Sequence, residues 1–197
     1  MKKRFENRYK TGDLPWDIKR PDYNLVNAIE AFDIRPGKAL DIGCGTGDNV
    51  IWLSKNGFNM TGVDLSETAI GMARNKAESE NIVADFYAAD FLSEEIPGHP
   101  FSFVFDRGCF HTFDRKKKRK KFAARVSEIL EAGGRWLSLI GNYDDGRLDV
   151  GPPKRRASEI TKAVEPFFEI LSMVQGRFDS NDEIPSKIWI CLMKRKP

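Results

Sequence analysis

The chain has 197 residues, of which 41% are hydrophobic and 31% are charged, and its formal net charge is +3. This length suits one domain with a core of its own, and so small a net charge excludes a surface built wholly for nucleic acid. The cysteines, Cys44, Cys109 and Cys191, are an odd and widely spaced set that suggests neither a disulfide framework nor a zinc motif. We therefore expect no metal site and a reducing, cytoplasmic location.

The basic N-terminal decapeptide has no apolar stretch behind it, so it does not predict a secretory signal. No apolar run approaches the roughly 20 residues that a membrane-spanning helix needs, and no membrane partner is expected. Residues 1–24 are rich in charge, contain two prolines and predict an irregular arm. A helix is predicted over 22–32.

From residue 38 onward, short apolar runs alternate with longer segments that have helical periodicity. The apolar runs predict strands at 38–43, 58–64, 83–90, 101–106, 135–141, after Pro166 and at 187–195. The segments between them predict helices at 47–57, 66–80 and 114–130, and a short helix before Pro166. Ser66 and Asp114 are the expected N-caps, and Gly133 with Gly134 is the expected end of the third of these helices.

Alternation of this kind predicts an α/β fold, with a mostly parallel sheet of seven strands and helices on both faces. The last two strands are joined only by RFDSNDEIPS, residues 177–186, which suits a hairpin better than a crossover. The final strand is therefore expected to be antiparallel. The whole chain, 1–197, is expected to be a single domain.

Ligand-facing residues follow three successive predicted strands. LDIGCGTGD, residues 40–48, supplies glycines that let the backbone turn sharply before a helix N-terminus. Asp64 ends the second strand, where a carboxylate can accept hydrogen bonds from both hydroxyls of a ribose, and Asp90 ends the third. A nicotinamide or flavin loop would place glycine where Asp48 stands, so this pattern disfavours a nicotinamide-dependent reductase.

The D-x-G-x-G-x-G loop, GVDLS after the second strand and AADF after the third resemble the class I S-adenosylmethionine-dependent methyltransferases. The resemblance covers essentially the whole chain and implies a Rossmann-like fold with S-adenosylmethionine as cofactor. It implies that Asp41, Gly43, Cys44 and Gly45 line the methionine part of the cofactor, Asp64 and Leu65 the ribose and adenine, and Asp90 and Phe91 the adenine.

A narrower resemblance lies in TGDLPWDIKRPDYNL, residues 11–25, which is similar to the N-terminal arm of thiopurine methyltransferase-like and tellurite-resistance-type methyltransferases. It implies that Trp16 covers the sulfonium region and that Arg20 meets the cofactor carboxylate. An aromatic face favours a cation, and a guanidinium pairs bidentately with a carboxylate. Alternatively, Trp16 only attaches the arm to the body. Lys19 stands where many relatives have glycine, which puts the turn of the arm in question.

The fourth strand ends in FDRGCFH, residues 105–111, which resembles the D-R-G segment of thiopurine methyltransferases. The resemblance implies that Arg107 faces the acceptor and the cofactor. An acceptor thiol needs no strong base, whereas a hydroxyl or amine would leave His111 as the nearby general base. The alternatives are that Asp106 only caps the strand end and that His111 only packs. Cys109 is not expected to be a covalent nucleophile, because Gly108 stands where a proline is usual.

RKKKRKK, residues 115–121, falls in the first turns of a predicted helix, where the helix dipole disfavours cations. The run predicts a solvated outer face; the alternative is a basic patch for RNA or an acidic partner. Residues 141–156 form a Gly/Pro-containing polar segment, predicted to be a substrate lid with Asn142 and Tyr143 as acceptor contacts. No N-P-P-Y or D-P-P-F segment for a flipped base follows the fourth strand.

The sequence therefore predicts a small-molecule methyltransferase that uses S-adenosylmethionine, with a thiol or another soft nucleophile as acceptor. Arg107, His111 and Asp106 are the expected catalytic residues. The alternative is an RNA methyltransferase, or a non-catalytic cofactor-binding module that uses the basic helix. Nucleic acid is the disfavoured partner, and a monomer or homodimer is expected.

Overall fold

The structure is a computed structural model that describes residues 2–146 and 151–197. The chain forms two compact units, residues 1–99 and 100–197, which are described in turn. The prediction of a single domain stays a prediction.

The first unit contains four helices and three strands. The helices are α1 (Lys2–Thr11), α2 (Tyr23–Ala31), α3 (Asp48–Lys55) and α4 (Glu67–Ser79). The strands are β1 (Lys38–Ile42), β2 (Asn59–Asp64) and β3 (Asp85–Ala88). β2 pairs in parallel with β1 and with β3, so all three strands end at the same edge. Side chains of β1 and β2 are almost wholly buried, as their apolar runs predict.

Helix α4 begins as predicted. Ser66 is its N-cap, with extended backbone, and the hydroxyl accepts a hydrogen bond from the backbone N–H of Ala69 at 3.1 Å. Ala69, Ile70 and Ala73 are buried, so this face packs into the unit.

The prediction of an irregular arm is wrong for α1, because Lys2–Thr11 is helical. The segment has no apolar stripe that would predict a helix; instead it is anchored by tertiary contacts. Glu6 accepts hydrogen bonds from the hydroxyl groups of Ser66 (2.7 Å) and Thr68 (2.6 Å), at the start of α4. These bonds and that of the Thr68 backbone lower the pKa of Glu6 to about 2.

The second unit contains the remaining elements. The strands are β4 (Phe101–Arg107), β5 (Leu130–Gly141), β6 (Phe168–Arg177) and β7 (Lys187–Arg195). The helices are α5 (Lys116–Ile129) and α6 (Ala157–Val164), with 3-10 helices at Phe110–Thr112 and Tyr143–Asp145. β4 and β5 pair in parallel, whereas β7 is antiparallel to both β5 and β6. The hairpin predicted from the short 177–186 connection is therefore confirmed.

Two predicted boundaries of α5 are wrong. The N-cap is Arg115, without a side-chain cap bond, because the carboxylate of Asp114 pairs with Arg155 at 2.6 Å. The helix ends at Ile129 and β5 begins at Leu130, before the glycine pair 133–134. Those glycines lie inside the strand instead.

The sheet has seven strands in the order β3-β2-β1-β4-β5-β7-β6, with β7 antiparallel and the others parallel. This confirms the predicted Rossmann-like α/β fold class, a mostly parallel sheet with an antiparallel last strand. Within the described residues, no helix is both long enough and apolar enough to span a membrane.

Candidate active site

The glycine loop follows β1 as a tight, left-handed turn. Gly43, Gly45 and Gly47 have φ angles of 75°, 54° and 86°, a region that other residues rarely enter. The backbone N–H groups of Gly43 and Cys44 both donate to the carbonyl of Val63 in β2, at 2.7 and 3.0 Å. The loop is thereby held against the end of the second strand.

Asp64 lies at the end of β2 and faces the glycine loop. One carboxylate oxygen accepts from the N–H of Gly45 at 3.1 Å, and the other from the N–H of Ser66 at 2.9 Å. Burial raises the pKa of this carboxyl, and these backbone hydrogen bonds act in the opposite direction. The structure therefore brings together Asp64 and the glycine loop, as predicted.

Tyr9 of α1 is a residue of this region that the sequence did not reveal. An ideal Cβ built on Gly45 would lie 3.0 Å from the Tyr9 hydroxyl oxygen, so the phenol covers the loop. That oxygen accepts from the indole N–H of Trp16 at 3.2 Å. Burial, together with the nearby charge of Asp64, raises the pKa of Tyr9 far above its ordinary value. The phenol therefore stays protonated.

Trp16 stands in an aromatic cluster on the arm. Its ring lies edge-to-face with Phe5 and Tyr9, at centroid separations of 5.7 and 5.9 Å. The guanidinium carbon of Arg8 lies 4.4 Å from its ring centroid, a cation–π contact. These contacts all lie within residues 1–24, and the ring already accepts one cation. The place of Trp16 over the sulfonium region stays a prediction, as does the alternative that it attaches the arm to the body.

The turn after Trp16 keeps a glycine-like backbone despite its lysine. Lys19 has a φ angle of 59°, and its ammonium pairs with Asp17 at 2.6 Å. Arg20 is exposed and donates to the carbonyl of Ile18 at 3.2 Å. The departure at Lys19 therefore leaves the left-handed turn in place, and the role of Arg20 at the cofactor carboxylate stays a prediction.

The residue that disfavoured a dinucleotide loop, Asp48, has a structural partner. It lies in the first turn of α3, where a carboxylate complements the helix dipole. Lys76 of α4 pairs with it at 2.8 Å, and the hydroxyl of Thr46 donates to it at 3.0 Å. Asp48 therefore fixes the loop to α4.

The other predicted cofactor residues of this unit lie at or near the same strand ends. Asp41 and Cys44 are buried, and burial raises the pKa of the Cys44 thiol well above its ordinary value. Leu65 is half-buried after β2. Asp90, two residues past β3, accepts from the N–H of Leu92 at 2.9 Å, and Phe91 is buried. Asp90 thus forms a turn, and its contact with adenine stays a prediction.

In the second unit, Asp106 holds the segment that follows β4. It is fully buried, and one oxygen accepts from the N–H groups of Cys109 (3.0 Å) and Phe110 (2.9 Å). The other oxygen accepts from the indole N–H of Trp136 at 2.9 Å. Burial raises the pKa of Asp106 to about 6, against those hydrogen bonds. These contacts fit the structural alternative, in which Asp106 shapes the turn.

His111 folds back over Gly108. The glycine has a φ angle of 83°, and a Cβ built on it would lie 2.9 Å from both Cε1 and Nε2 of the imidazole. Nδ1 of His111 accepts a hydrogen bond from the N–H of Gly141, at the end of β5, at 2.9 Å. Burial and the charges of Arg155 and Arg107 lower the pKa of His111 to about 3.

Arg107 is half-buried at the end of β4, beside Phe178 of the β6–β7 hairpin. Its guanidinium carbon lies 5.3 Å from the centroid of that ring, and it donates to the carbonyl of Asp179. The His111 ring lies edge-to-face with the same phenylalanine at 6.1 Å. The structure therefore brings Arg107 and His111 together around Phe178, which the sequence did not single out.

Arg155 is a second residue that sequence reasoning missed. It is buried and donates to the carbonyl of His111 and to the carboxylate of Asp114, each at 2.6 Å. Its backbone N–H donates to the carbonyl of Gly141 at 2.7 Å. It therefore ties the His111 segment to the chain that follows β5. An arginine in a polar stretch gives no sequence signal of burial.

The predicted substrate lid, 141–156, is described only in part, because residues 147–150 lie outside the described residues. Asn142 is fully buried, and its side-chain oxygen accepts from the N–H of Asp144 at 2.9 Å. Tyr143 is exposed, and the guanidinium carbon of Arg156 lies 3.5 Å from its ring centroid. The acceptor contacts of both residues stay predictions.

The basic run is not uniform. Arg119 is buried; it donates to the carbonyls of Phe113 and Asp114 and pairs with Glu159 of α6 at 2.8 Å. The other six cations of 115–121 are exposed and form no ion pair within the part of the chain that is described. Also among those residues, no group of three or more His, Cys, Asp or Glu side chains is placed to hold a metal ion.

Several known proteins to which the chain is similar are described as methyltransferases. The model of a family described as a methyltransferase domain matches residues 39–134. The chain is 29% identical to probable thiol methyltransferase 2 of Arabidopsis thaliana over 87% of this chain and 76% of that protein. It is 26% identical to thiocyanate methyltransferase 1 of Brassica oleracea over 93% of this chain and 78% of that protein.

A solved structure from work on the conversion of a disulfide bond into a thioacetal group during echinomycin biosynthesis has the same fold. It matches with a TM-score of 0.85 and 27% identity, over 100% of this chain and 92% of that one. With the fold and the glycine loop, these likenesses support the predicted class, the class I S-adenosylmethionine-dependent methyltransferases. The chain is an enzyme, as predicted.

Proposed function

We propose that the chain transfers the methyl group of S-adenosylmethionine to a sulfur or another soft atom of a small molecule. The observation that carries the acceptor class is the turn from Asp106 to His111, which leaves Arg107 and an imidazole beside one aromatic ring. The extended likeness to proteins named as thiol and thiocyanate methyltransferases supports this acceptor class.

The residues of the first unit would hold the cofactor. The left-handed glycine loop brings backbone close to a ligand, and Asp64 is a carboxylate at the strand end that can accept from ribose hydroxyls. We assign the methionine part to Asp41 and the loop 43–45, and the adenine to Leu65, Asp90 and Phe91. Trp16 and Arg20 would cover the sulfonium and the carboxylate from the arm, and Tyr9 would close the loop from above.

When bound, the cofactor supplies an electrophilic methyl group on a cationic sulfur. In-line displacement then depends on alignment of the acceptor and on exclusion of water. Arg107 suits this task because its guanidinium attracts an anionic acceptor and carries several fixed donors. We assign the acceptor to Arg107 and His111, and we assign Asp106 to holding their turn. Arg107 would also face the cofactor, and Asn142 and Tyr143 would contact the acceptor from the lid.

We also propose a reducing, cytoplasmic setting and a single domain for the chain. Among the described residues, Cys44, Cys109 and Cys191 form no disulfide; Cys44 and Cys191 are buried, and Cys109 is half-buried. Thiols of this kind persist where the surroundings keep cysteines reduced.

The cofactor assignment is tested by calorimetric titration with S-adenosylhomocysteine. We expect binding to the native chain, and we expect Asp64→Ala to weaken it by at least about tenfold, because each hydrogen bond to a charged group contributes roughly 1.5–3 kcal/mol. Asp85→Ala is the matched control, since Asp85 is an exposed acid at the start of β3. Equal affinities of the native chain and Asp64→Ala would contradict the assignment.

A further inference from the structure

The two nitrogens of His111 have different surroundings. Nδ1 accepts a hydrogen bond from the backbone N–H of Gly141 at 2.9 Å. A backbone N–H can only donate, so Nδ1 must keep its lone pair and the proton of the neutral ring must be on Nε2. The backbone of β5 thus fixes the tautomer of this histidine.

Nε2 lies over Gly108, and no described residue accepts a hydrogen bond from it. His111 as a residue is 5% exposed, and Nε2 is not one of the buried side-chain atoms that lack a partner, so its N–H stays within reach of a small ligand. Arg107 and His111 share Phe178 as a neighbour, so the imidazole and a guanidinium contact the same aromatic side chain.

The charged groups that face the imidazole oppose its protonation. Arg107 and Arg155 are cations, and their charges add to burial in lowering the pKa of His111. The carboxylate nearest to Arg155 is that of Asp114, which is exposed and paired with that arginine. Asp106 is occupied by three N–H donors. To accept a proton, the imidazole of His111 would therefore have to give up its hydrogen bond from Gly141 and become positively charged beside two cations.

On the basis of the proposed methyl transfer, we propose that His111 contacts the acceptor as a fixed N–H donor and takes no proton from it. The acceptors are then small soft anions, above all thiolates, which ionise without help from the enzyme. The lone pair of the thiolate forms the new bond to the methyl carbon, and the electron pair of the broken carbon–sulfur bond stays on the donor sulfur. An anion and a cation become two neutral molecules, so no proton has to move.

The first test reads the imidazole directly. The chain has two histidines, and His99→Gln leaves only His111 to observe by ¹⁵N NMR. We expect the neutral Nε2–H form between about pH 5 and pH 8, and we expect sodium thiocyanate, used as a small soft anion, to shift the Nε2–H resonance. A proton on Nδ1, a titration midpoint between about 6 and 7, or a resonance that thiocyanate leaves unmoved would each overturn the proposal.

The second test compares an aromatic thiol of low pKa with an alkyl thiol of higher pKa. We expect kcat/KM to rise with pH up to the pKa of each thiol, so that the breakpoint moves with the acceptor. A base on the enzyme would give both thiols the same breakpoint. His111→Phe should lower kcat/KM for both by about 10- to 100-fold, the effect of one hydrogen bond to an anion. His111→Gln, which keeps an N–H donor, should recover most of that loss.

Controls keep the outcomes distinct. Binding of S-adenosylhomocysteine and thermal unfolding show whether each His111 variant is folded. If His111→Phe does not fold, the comparison of the native chain with His111→Gln serves as the test. Asp85→Ala, at an exposed acid outside the assigned site, should leave the kcat/KM of both thiols unchanged. Absence of turnover with every thiol would contradict the proposed function instead, while the NMR result would stand on its own.

Discussion

Acidification should destabilise the protein through His111. Its pKa falls from an ordinary value of 6.5 to about 3 in the folded chain. Below pH 6.5 the unfolded chain therefore binds a proton that the folded chain does not, and stability is lost as pH falls from 6.5 towards 3. Each pH unit in this window lowers the free energy of unfolding by about 1.4 kcal/mol, so at about pH 4.5 His111 has lowered it by about 3 kcal/mol.

The titration of Asp106 changes stability with pH in the opposite direction, so its effect must be separated from that of His111. Its pKa rises from 3.8 to about 6, so its contribution to stability falls as pH rises through that window. Asp106 is present in both the native chain and His111→Gln, so its effect cancels from the difference between the free energies of unfolding of the two proteins. Urea unfolding of both proteins at about pH 4.5 and about pH 7.5 measures that difference. We expect the native chain to lose about 3 kcal/mol more than His111→Gln on acidification. Equal losses would refute the burial of a neutral imidazole.

Three further changes probe other parts of the structure. Gly108→Ala should lower methyl transfer by at least about tenfold while S-adenosylhomocysteine still binds, because a Cβ there meets the His111 ring at 2.9 Å and the left-handed backbone disfavours alanine. Glu6→Gln should speed hydrogen exchange in α1 above pH 4.5, where the Glu6 carboxylate is charged in both the folded and the unfolded chain. Glu67→Gln is the control and should leave this exchange unchanged, because the pair that Glu67 forms with Lys2 is exposed. Replacing four exposed lysines of α5 with glutamine should leave small-molecule kcat/KM within about twofold; a large loss would favour the alternative in which the basic helix serves the substrate. These lysines are Lys116, Lys117, Lys120 and Lys121.

The elements from β1 onward were predictable because each has a local pattern that agrees with its tertiary place. Buried strands give apolar runs, and Ser66 gives a cap signal that the structure uses. Helix α1 has no such pattern: it is anchored by the hydrogen bonds that Glu6 accepts from the start of α4 and by aromatic contacts with Trp16. Its existence depends on residues some sixty positions away, which a local reading of the chain does not include.

In the candidate site, too, only the residues that belong to a local motif were predictable. The glycine loop, Asp64 and the D-R-G turn have motif signals, and the structure brings each into the expected strand end. Phe178 and Arg155 have none, because their importance comes from contacts with His111 across distant parts of the chain. Asp106 and His111 show the limit of residue type as a guide: a carboxylate and an imidazole suggest acid–base chemistry, whereas their hydrogen bonds occupy the oxygens and the lone pair that such chemistry would use.

The most direct test of the account is methyl transfer itself. The purified chain is incubated with S-adenosylmethionine carrying a labelled methyl group, and with a panel of thiols, thiocyanate, halides, a phenol, an amine and tRNA. Mass spectrometry then identifies the methylated product. We expect labelled thioether from thiols, with turnover that Arg107→Ala lowers at least about tenfold and Asp85→Ala leaves unchanged. Label transferred to tRNA and to no small molecule in the panel would contradict it.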